Sequence, residues 1–144
     1  MKRILLFIVL AVMAAGSWYA YKEYHRTNKD LTSVEATVQT NAASLIQAFE
    51  SDSVAATRVY VDKVIAVQGN VKEIDAQGNP VVIFLGDAGS MSSVKCSMDS
   101  AHANDYRALA KGSVVTIKGT CAGYQTEELL GTDVELTRCV IQNK

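Results

Sequence analysis

The chain has 144 residues, of which 49% are hydrophobic and 20% charged, so it holds one packed domain with room for an N-terminal extension. This composition excludes an intrinsically disordered chain. The formal net charge is −1, but from residue 28 onward 10 Lys+Arg stand against 14 Asp+Glu, a net charge of −4. An acidic domain argues against a cationic surface for nucleic acid.

The first 21 residues combine a basic start with an apolar run. Lys2 and Arg3 precede about 18 mostly apolar residues, just enough to span a bilayer as a helix. The positive charges mark the cytoplasmic end, so we expect an uncleaved anchor in the bacterial inner membrane, with the rest of the chain on the periplasmic or extracellular side. A secretory signal cleaved near Ala14-Ala15-Gly16, which would give a secreted protein, is the alternative. No cysteine follows the run, so we expect no lipid anchor.

Residues 22–37 are mostly polar and predict a tether. Residues 38–60 predict a helical segment, because apolar residues recur at helical spacing along its first half. Asn41, or the residue before it, is an alternative N-cap for a helix with a later start. A further helix, to residue 60, has its N-cap at Asp52 or Ser53. The residues with helical spacing are Val38, Ala42, Leu45, Ile46 and Phe49.

Five strand-like runs follow, three before a short helical stretch and two after it. Gly69, in the middle of the first and longest run, predicts a bend of the kind that barrel closure needs. Ile74 breaks the alternation of that run and predicts a bulge. The runs are 61–75, 80–85, 94–98, 113–121 and 133–141, and the helical stretch is 99–110.

This order of elements predicts a mainly β fold, a five-stranded Greek-key barrel of the OB-fold type with a short helix between its third and fourth strands. In the fifth strand, either Cys139 and Ile141 or Arg138 and Val140 point inward. Barrels of this type usually bind a ligand, which the fold alone does not identify. The predicted segments are an anchor or signal at 1–21, a tether at 22–37, a helical segment at 38–60 and the barrel at 61–144.

Six short blocks of the chain form a distinctive series. They are YVDKVIAVQGNV at 60–71, GNPVV at 78–82, VKC at 94–96, LAKG at 109–112, VTIKG at 115–119 and LTRCVI at 136–141. Together they resemble the bacterial tRNA_anti-like family over residues 42–141. The resemblance implies an OB barrel, often behind one N-terminal membrane helix. It transfers no catalytic residues, because the family has no established activity.

Three cysteines, Cys96, Cys121 and Cys139, fall in the third, fourth and fifth strands. Outside the cytoplasm they predict one disulfide, with Cys96–Cys139 favoured and Cys121 as a member of either alternative pair. Three buried thiols are the other interpretation. We expect no metal site, because there is no Cys-x-x-Cys spacing and neither His25 nor His102 is placed with the cysteines.

The sequence carries no nucleophile with a local base and no phosphate-binding loop, so we expect neither an enzyme nor a cofactor. The predicted function is binding of an envelope protein or a small polar ligand, with the membrane as a second partner. Single-stranded nucleic acid is the alternative ligand, which the acidic charge and few aromatic residues do not favour. The surface should be strands two and three with loops 86–93 and 123–132. The predicted binding residues are Val82, Phe84, Lys95, Tyr124 and Gln125.

Overall fold

The computed structural model describes residues 12–13, 16–19, 21, 31–127 and 129–142. The backbone of 12–13, 16–19 and 21 is helical. Within the described parts of the chain, no helix is both long and apolar enough to cross a bilayer. The predicted anchor or signal at 1–21 and the tether at 22–37 lie largely outside the described residues.

Two α-helices, six β-strands and three short 3-10 turns make up the described part of the chain from residue 31 onward. The helices are α1 (Ala42–Ser51) and α2 (Ser53–Tyr60). The strands are β1 (Val38–Asn41), β2 (Val64–Asp75), β3 (Val82–Leu85), β4 (Ser93–Met98), β5 (Val114–Glu127) and β6 (Gly131–Ile141). The 3-10 turns are Leu31–Ser33, Ser100–His102 and Asp105–Ala108.

Strands β2 to β6 form the predicted closed OB barrel. Strand β2 pairs antiparallel with both β3 and β5, and β3 pairs antiparallel with β4. Strand β4 runs parallel to β6, and β6 returns antiparallel to β5, which closes the sheet on β2. Strand β1 is an addition that pairs in parallel with β2 and leaves its other side as an edge.

The predicted helix from Val38 begins four residues later, which corrects the sequence prediction. Val38 lies in β1 opposite Ile65 of β2, and α1 begins only at Ala42. Asn41 ends the strand in extended backbone and caps the helix, because its side chain accepts from the N–H of Ser44 at 2.7 Å. The helical spacing of apolar residues was misleading here, since β-branched Val38 also fits a strand.

Helix α1 closes one end of the barrel by burying Leu45 and Phe49 in the core. Gly69 allows this approach. A Cβ at Gly69 would lie only 2.9 Å from the Cβ of Ala42 at the start of α1 and 3.2 Å from that of Leu85. Gly69 therefore lies where the helix meets β2, and the bend predicted there stays a prediction. The predicted bulge is also present, as a register shift in β2 between Val71 and Glu73.

The stretch between β4 and β5 forms two 3-10 turns instead of the single predicted helix. Asp99 caps the first turn as predicted, and its side chain accepts from the N–H of Ala101 at 2.9 Å. Short polar side chains such as Asn104 and Asp105 favour local turns over a continuous helix, because they compete for backbone hydrogen bonds.

A bulge in β6 decides which residues face the core after Thr137. Arg138 has a φ of 54° and takes no place in the pairing of β6 with β5, which passes from Thr137 directly to Val140. Cys139 consequently lies in the core, and Ile141 packs against it. Val140 is also buried, but on the outer side, opposite Lys118.

Residues 31–37, which we call the strap, lie on the outside of the barrel rather than forming a free part of the tether. The first 3-10 turn packs on β5 and β6 and buries Leu31. The N–H of Thr37 donates to the carbonyl of Val64 at 2.8 Å. Lys118 is buried beneath the strap, and its ammonium donates to the carbonyls of Thr32 and Val34 at 3.1 and 2.7 Å.

Candidate binding face

The outer face of β3, β4 and β6 brings most of the predicted binding residues together. Ile83 of β3 is completely buried, so the alternation of side chains turns Val82 and Phe84 to the outside. Both are half-buried, yet neither packs against the core. Phe84 pairs with Lys95 of β4, and Lys95 pairs with Glu135 of β6. We call this surface the binding face.

The half-buried apolar residues of the binding face are bordered by carboxylates. Glu73 pairs with Phe84 on its β2 side, which completes a row from Glu73 through Phe84 and Lys95 to Glu135. Asp75 pairs with Val82 in the next row. Adjacent residues in a cross-strand row interact directly, so Phe84 and Val82 each have an acidic neighbour.

Lys95, the cation of this face, is already paired. Its Nζ lies 2.8 Å from Oδ2 of Asp133, and Oδ1 of the same carboxylate accepts from the hydroxyl of Ser93 at 2.6 Å. Burial by itself would raise the pKa of Asp133, but the hydrogen bonds from Lys95 and Ser93 and the charge of Lys95 outweigh it and lower the pKa. Little positive charge is left on the face for a ligand.

Gln125 and Tyr124 separate onto different sides of β5. Gln125 pairs with Asp133 and so borders the binding face. Tyr124 pairs with Val134, which is completely buried, and its ring lies 4.8 Å from the ring of Phe49 in α1. The predicted role of Tyr124 in ligand binding stays a prediction, for a position outside the row of Phe84 and Lys95. The residue packs on the helix that closes the barrel, although 36% of it is exposed.

The predicted loop at 123–132 is a β-hairpin, because β5 extends to Glu127 and β6 begins at Gly131. The predicted surface includes Ser93 in the loop 86–93, but it leaves out Asp133 and Glu135 because it is confined to strands two and three and two loops. The alternation around buried Val134 is the signal that points Asp133 and Glu135 outward.

A groove lined mostly by neutral residues lies on another wall of the barrel, beside strand β1. It consists of two adjoining open cavities of about 500 and 960 Å³ that share Asn41, Gln68 and Val114. Its remaining polar lining is mostly neutral, with Asp87 at one end. None of the predicted binding residues lines either cavity.

The three cysteines are buried in the barrel as free thiols, so the structure does not show the predicted disulfide. In the pairing of β4 with β6, Cys96 lies opposite Leu136 and Cys139 lies opposite Met98. Burial raises the pKa of the Cys139 thiol well above its ordinary value, and a hydrogen bond and charge interaction with Cys96 add to the increase. Burial likewise raises the pKa of Cys121.

Within the described parts of the chain, no group of three His, Cys, Asp or Glu residues is arranged to hold a metal ion. His25 lies outside the described residues. His102 bonds to Asp105 through Nδ1 at 3.1 Å and to the hydroxyl of Thr32 through Nε2 at 3.3 Å. The chain of bonds from Thr32 through His102 to Asp105 has the order of a nucleophile, a base and a carboxylate in a catalytic triad. Thr32, however, is exposed on the strap, so we assign these bonds to fastening the strap onto the first turn after β4.

The closed barrel defines an OB-fold protein. The model of the tRNA_anti-like family matches residues 1–134, and the chain therefore belongs to that family. The comparison with curated proteins gives no match.

Two solved structures are similar to parts of this chain. The first is a Klebsiella pneumoniae protein provisionally described as a nucleic acid-binding lipoprotein, with a TM-score of 0.58 and 20% identity over 82% of this chain and 100% of that one. At this identity, the likeness to the Klebsiella protein concerns the fold alone. The second is the aspartyl-tRNA synthetase from Entamoeba histolytica, with a TM-score of 0.44 and 12% identity over 81% of this chain and 23% of the synthetase.

Proposed function

We propose that this protein is a non-catalytic OB-fold binding module of the bacterial envelope, held at the inner membrane by its N-terminal segment. Its binding face takes an envelope protein or a small polar ligand. The apolar run at 1–21, with its basic start, supports the location. The alternative is secretion after cleavage of that segment.

The observation that carries this proposal is the composition of the binding face. Phe84 and Val82 remain half-buried on the outside of the sheet without packing on the core. Exposed apolar surface with a polar border is typical of a recognition site. The neighbouring carboxylates and the Lys95–Asp133 ion pair favour a neutral or cationic ligand group over a phosphate.

The second candidate function is binding of single-stranded nucleic acid. It draws on the Klebsiella protein, which is provisionally described as nucleic acid-binding. Such proteins combine a positively charged groove with exposed aromatic rings. Phe84 offers one ring, but Glu73 beside it and the engaged Lys95 oppose a phosphate backbone.

Fluorescence anisotropy with labelled single-stranded DNA and RNA separates the two functions. The full chain in detergent micelles is titrated against each oligonucleotide at low salt. We expect no saturable binding. Tight binding whose affinity falls steeply with added salt would replace our proposal with the nucleic-acid function.

Affinity capture from a bacterial envelope extract tests the binding face itself. The unmodified protein and Val114→Ser should retain the same ligand, since Val114 is 66% exposed on the wall with the groove. Phe84→Ser should lose that ligand, because it removes the apolar centre of the face. Equal capture by all three proteins would show that the binding face is not the site.

A further inference from the structure

We propose that one end of the barrel docks onto a partner protein through an apolar tip, and that the partner offers an apolar pocket bordered by basic groups. The tip consists of Met91, in the loop between β3 and β4, with Leu129 and Leu130, in the hairpin turn between β5 and β6. This inference rests on the proposed function and names the class of partner.

The three side chains of the tip are exposed to an unusual degree. Met91 is 68% exposed, Leu129 87% and Leu130 60%. Single exposed apolar residues are ordinary, but large apolar side chains gathered at one place on a soluble surface usually mark an interaction site. The tip adjoins the binding face through Asp133, which lies two residues beyond Gly131 on β6.

The two segments of the tip are fastened to each other. The N–H of Thr132 donates to the hydroxyl of Ser92 at 3.0 Å, and that hydroxyl donates to Glu50 of α1 at 2.9 Å. Gly131 approaches so closely that a Cβ there would lie 2.9 Å from the nitrogen of Ser92. A docking surface that is already assembled loses less conformational entropy on binding.

The charges around the tip indicate a basic partner. Asp87 shares the loop of Met91, Glu127 precedes the hairpin turn, and Glu50 bonds to Ser92 next to Met91. Lys72 also reaches this end, where its ammonium donates to the carbonyls of Ser90 and Met91 at 2.7 and 3.5 Å. The three acidic groups outnumber this one cation. Acidic groups beside an apolar centre complement a surface of opposite charge and repel the anionic headgroups of a bilayer.

The position of the strap also favours a protein over the membrane as the occupant. The strap is fixed on Lys118, which lies nine residues before Glu127 on β5. At about 3.3 Å per residue, up to about 30 Å of strand separates the tip from the Lys118 contact of the strap. The strap and the apolar tip thus lie at different positions along β5.

Selection of a phage-displayed library of random peptides on the full chain, held in phosphatidylcholine nanodiscs, tests this inference. We expect enrichment of peptides that combine Leu or Phe with Lys or Arg. Affinity of a selected synthetic peptide should fall at least about tenfold in the double variant Leu129→Ser and Leu130→Ser, and stay unchanged in Val114→Ser. Failure to enrich such peptides, or an unchanged affinity in the double variant, would overturn the inference.

Two further measurements distinguish a failure of the tip from a failure of the proposed function, and a protein partner from the membrane. If the peptide affinity falls with Phe84→Ser but not with the double variant, the proposed function stands and the tip is not its docking site. For the membrane alternative, a bimane fluorophore is attached to Leu129→Cys or, as control, to Val114→Cys in nanodiscs that contain brominated lipid. We expect equal, weak quenching, and stronger quenching at residue 129 would assign the tip to the bilayer instead.

Discussion

The side chains of Lys118 on β5 and Lys95 on β4 both lie on the outer side of the barrel sheet, but their surroundings differ. Lys118 is only 4% exposed, and its ammonium donates to two backbone carbonyls of the strap. The side chain of Lys95 is 31% exposed and pairs with Asp133 across the sheet. One lysine is covered by the protein's own chain, and the other remains at a surface that solvent reaches.

The difference shows that the strap covers one outer wall of the barrel, whereas the outer side chains of the binding face remain accessible to solvent. We call the binding face the open wall. Under the strap, the cross-strand row Ala66–Lys118–Val140 is buried, and backbone carbonyls satisfy the charge in its centre. On the binding face, Phe84 stays half-buried and does not pack against the core. We propose that a partner binds to this open wall.

Of the changes that test this comparison, removal of the strap should lower the free energy of unfolding the most. A protein that lacks residues 1–27 keeps the strap, so we expect its circular dichroism and urea unfolding to match those of a folded barrel. A protein that lacks residues 1–37 loses the burial of Leu31 and uncovers Lys118. Burial of a Leu side chain contributes roughly 1.5–3 kcal/mol, so the free energy of unfolding should fall by at least about 2 kcal/mol. Equal stability of the two truncated proteins would show that the strap is not part of the fold.

Lys118→Met tests the covered lysine directly, with Lys95→Met as the matched control. Loss of the Lys118 ammonium deprives two carbonyls of their charged donor, and we expect a loss of about 1–3 kcal/mol in the free energy of unfolding. Lys95→Met removes a partly exposed ion pair and should cost less than about 1 kcal/mol. Urea denaturation followed by circular dichroism measures both. A larger loss for Lys95→Met would contradict the contrast drawn between the two walls.

Gly119→Ala tests the close contact of β5 and β6 next to the covered wall. A Cβ at Gly119 would lie 2.6 Å from Sγ of Cys139 and 3.2 Å from the carbonyl oxygen of Thr137. We expect this overpacking to lower the free energy of unfolding by roughly 1–3 kcal/mol. Gly89→Ala is the control, because a Cβ at Gly89 meets nothing within 4 Å. Thermal unfolding should separate the two variants, and coincident transitions would refute the crowding.

The smallest expected change in the free energy of unfolding comes from lowering the pH, which acts on the Lys95–Asp133 pair of the open wall. The pKa of Asp133 is lowered in the folded protein, so its ionised form stabilises the fold above the unfolded pKa, and this contribution is lost as pH falls through the folded pKa. Below about pH 4 the unmodified protein should therefore lose slightly more stability than Asp133→Asn, by less than about 1 kcal/mol. Urea titrations from pH 6 to about pH 2 compare them. Parallel pH profiles would show that the Lys95–Asp133 pair contributes nothing.

Local signals in the sequence determined the main architecture. Five β runs around a glycine bend predicted the OB barrel, and the broken alternation at Ile74 predicted the bulge in β2. Asn41 was recognised as a helix cap in one of two interpretations, and the structure selects that one. Alternation also placed Val82, Phe84 and Lys95 on one face. These features depend on neighbours within a few residues, which the sequence displays directly.

The tertiary structure decided everything that depends on contacts between distant segments. Val38 lies in a strand because β2 offers it a partner. Tyr124 contacts the ring of Phe49 because its pairing with Val134 places it on that side of β5. The bulge at Arg138 set the register that turns Cys139 into the core opposite Met98. No periodicity within one strand encodes these pairings. The burial of Lys118 likewise required the strap, more than 80 residues earlier in the chain, to supply the carbonyls that a buried ammonium needs.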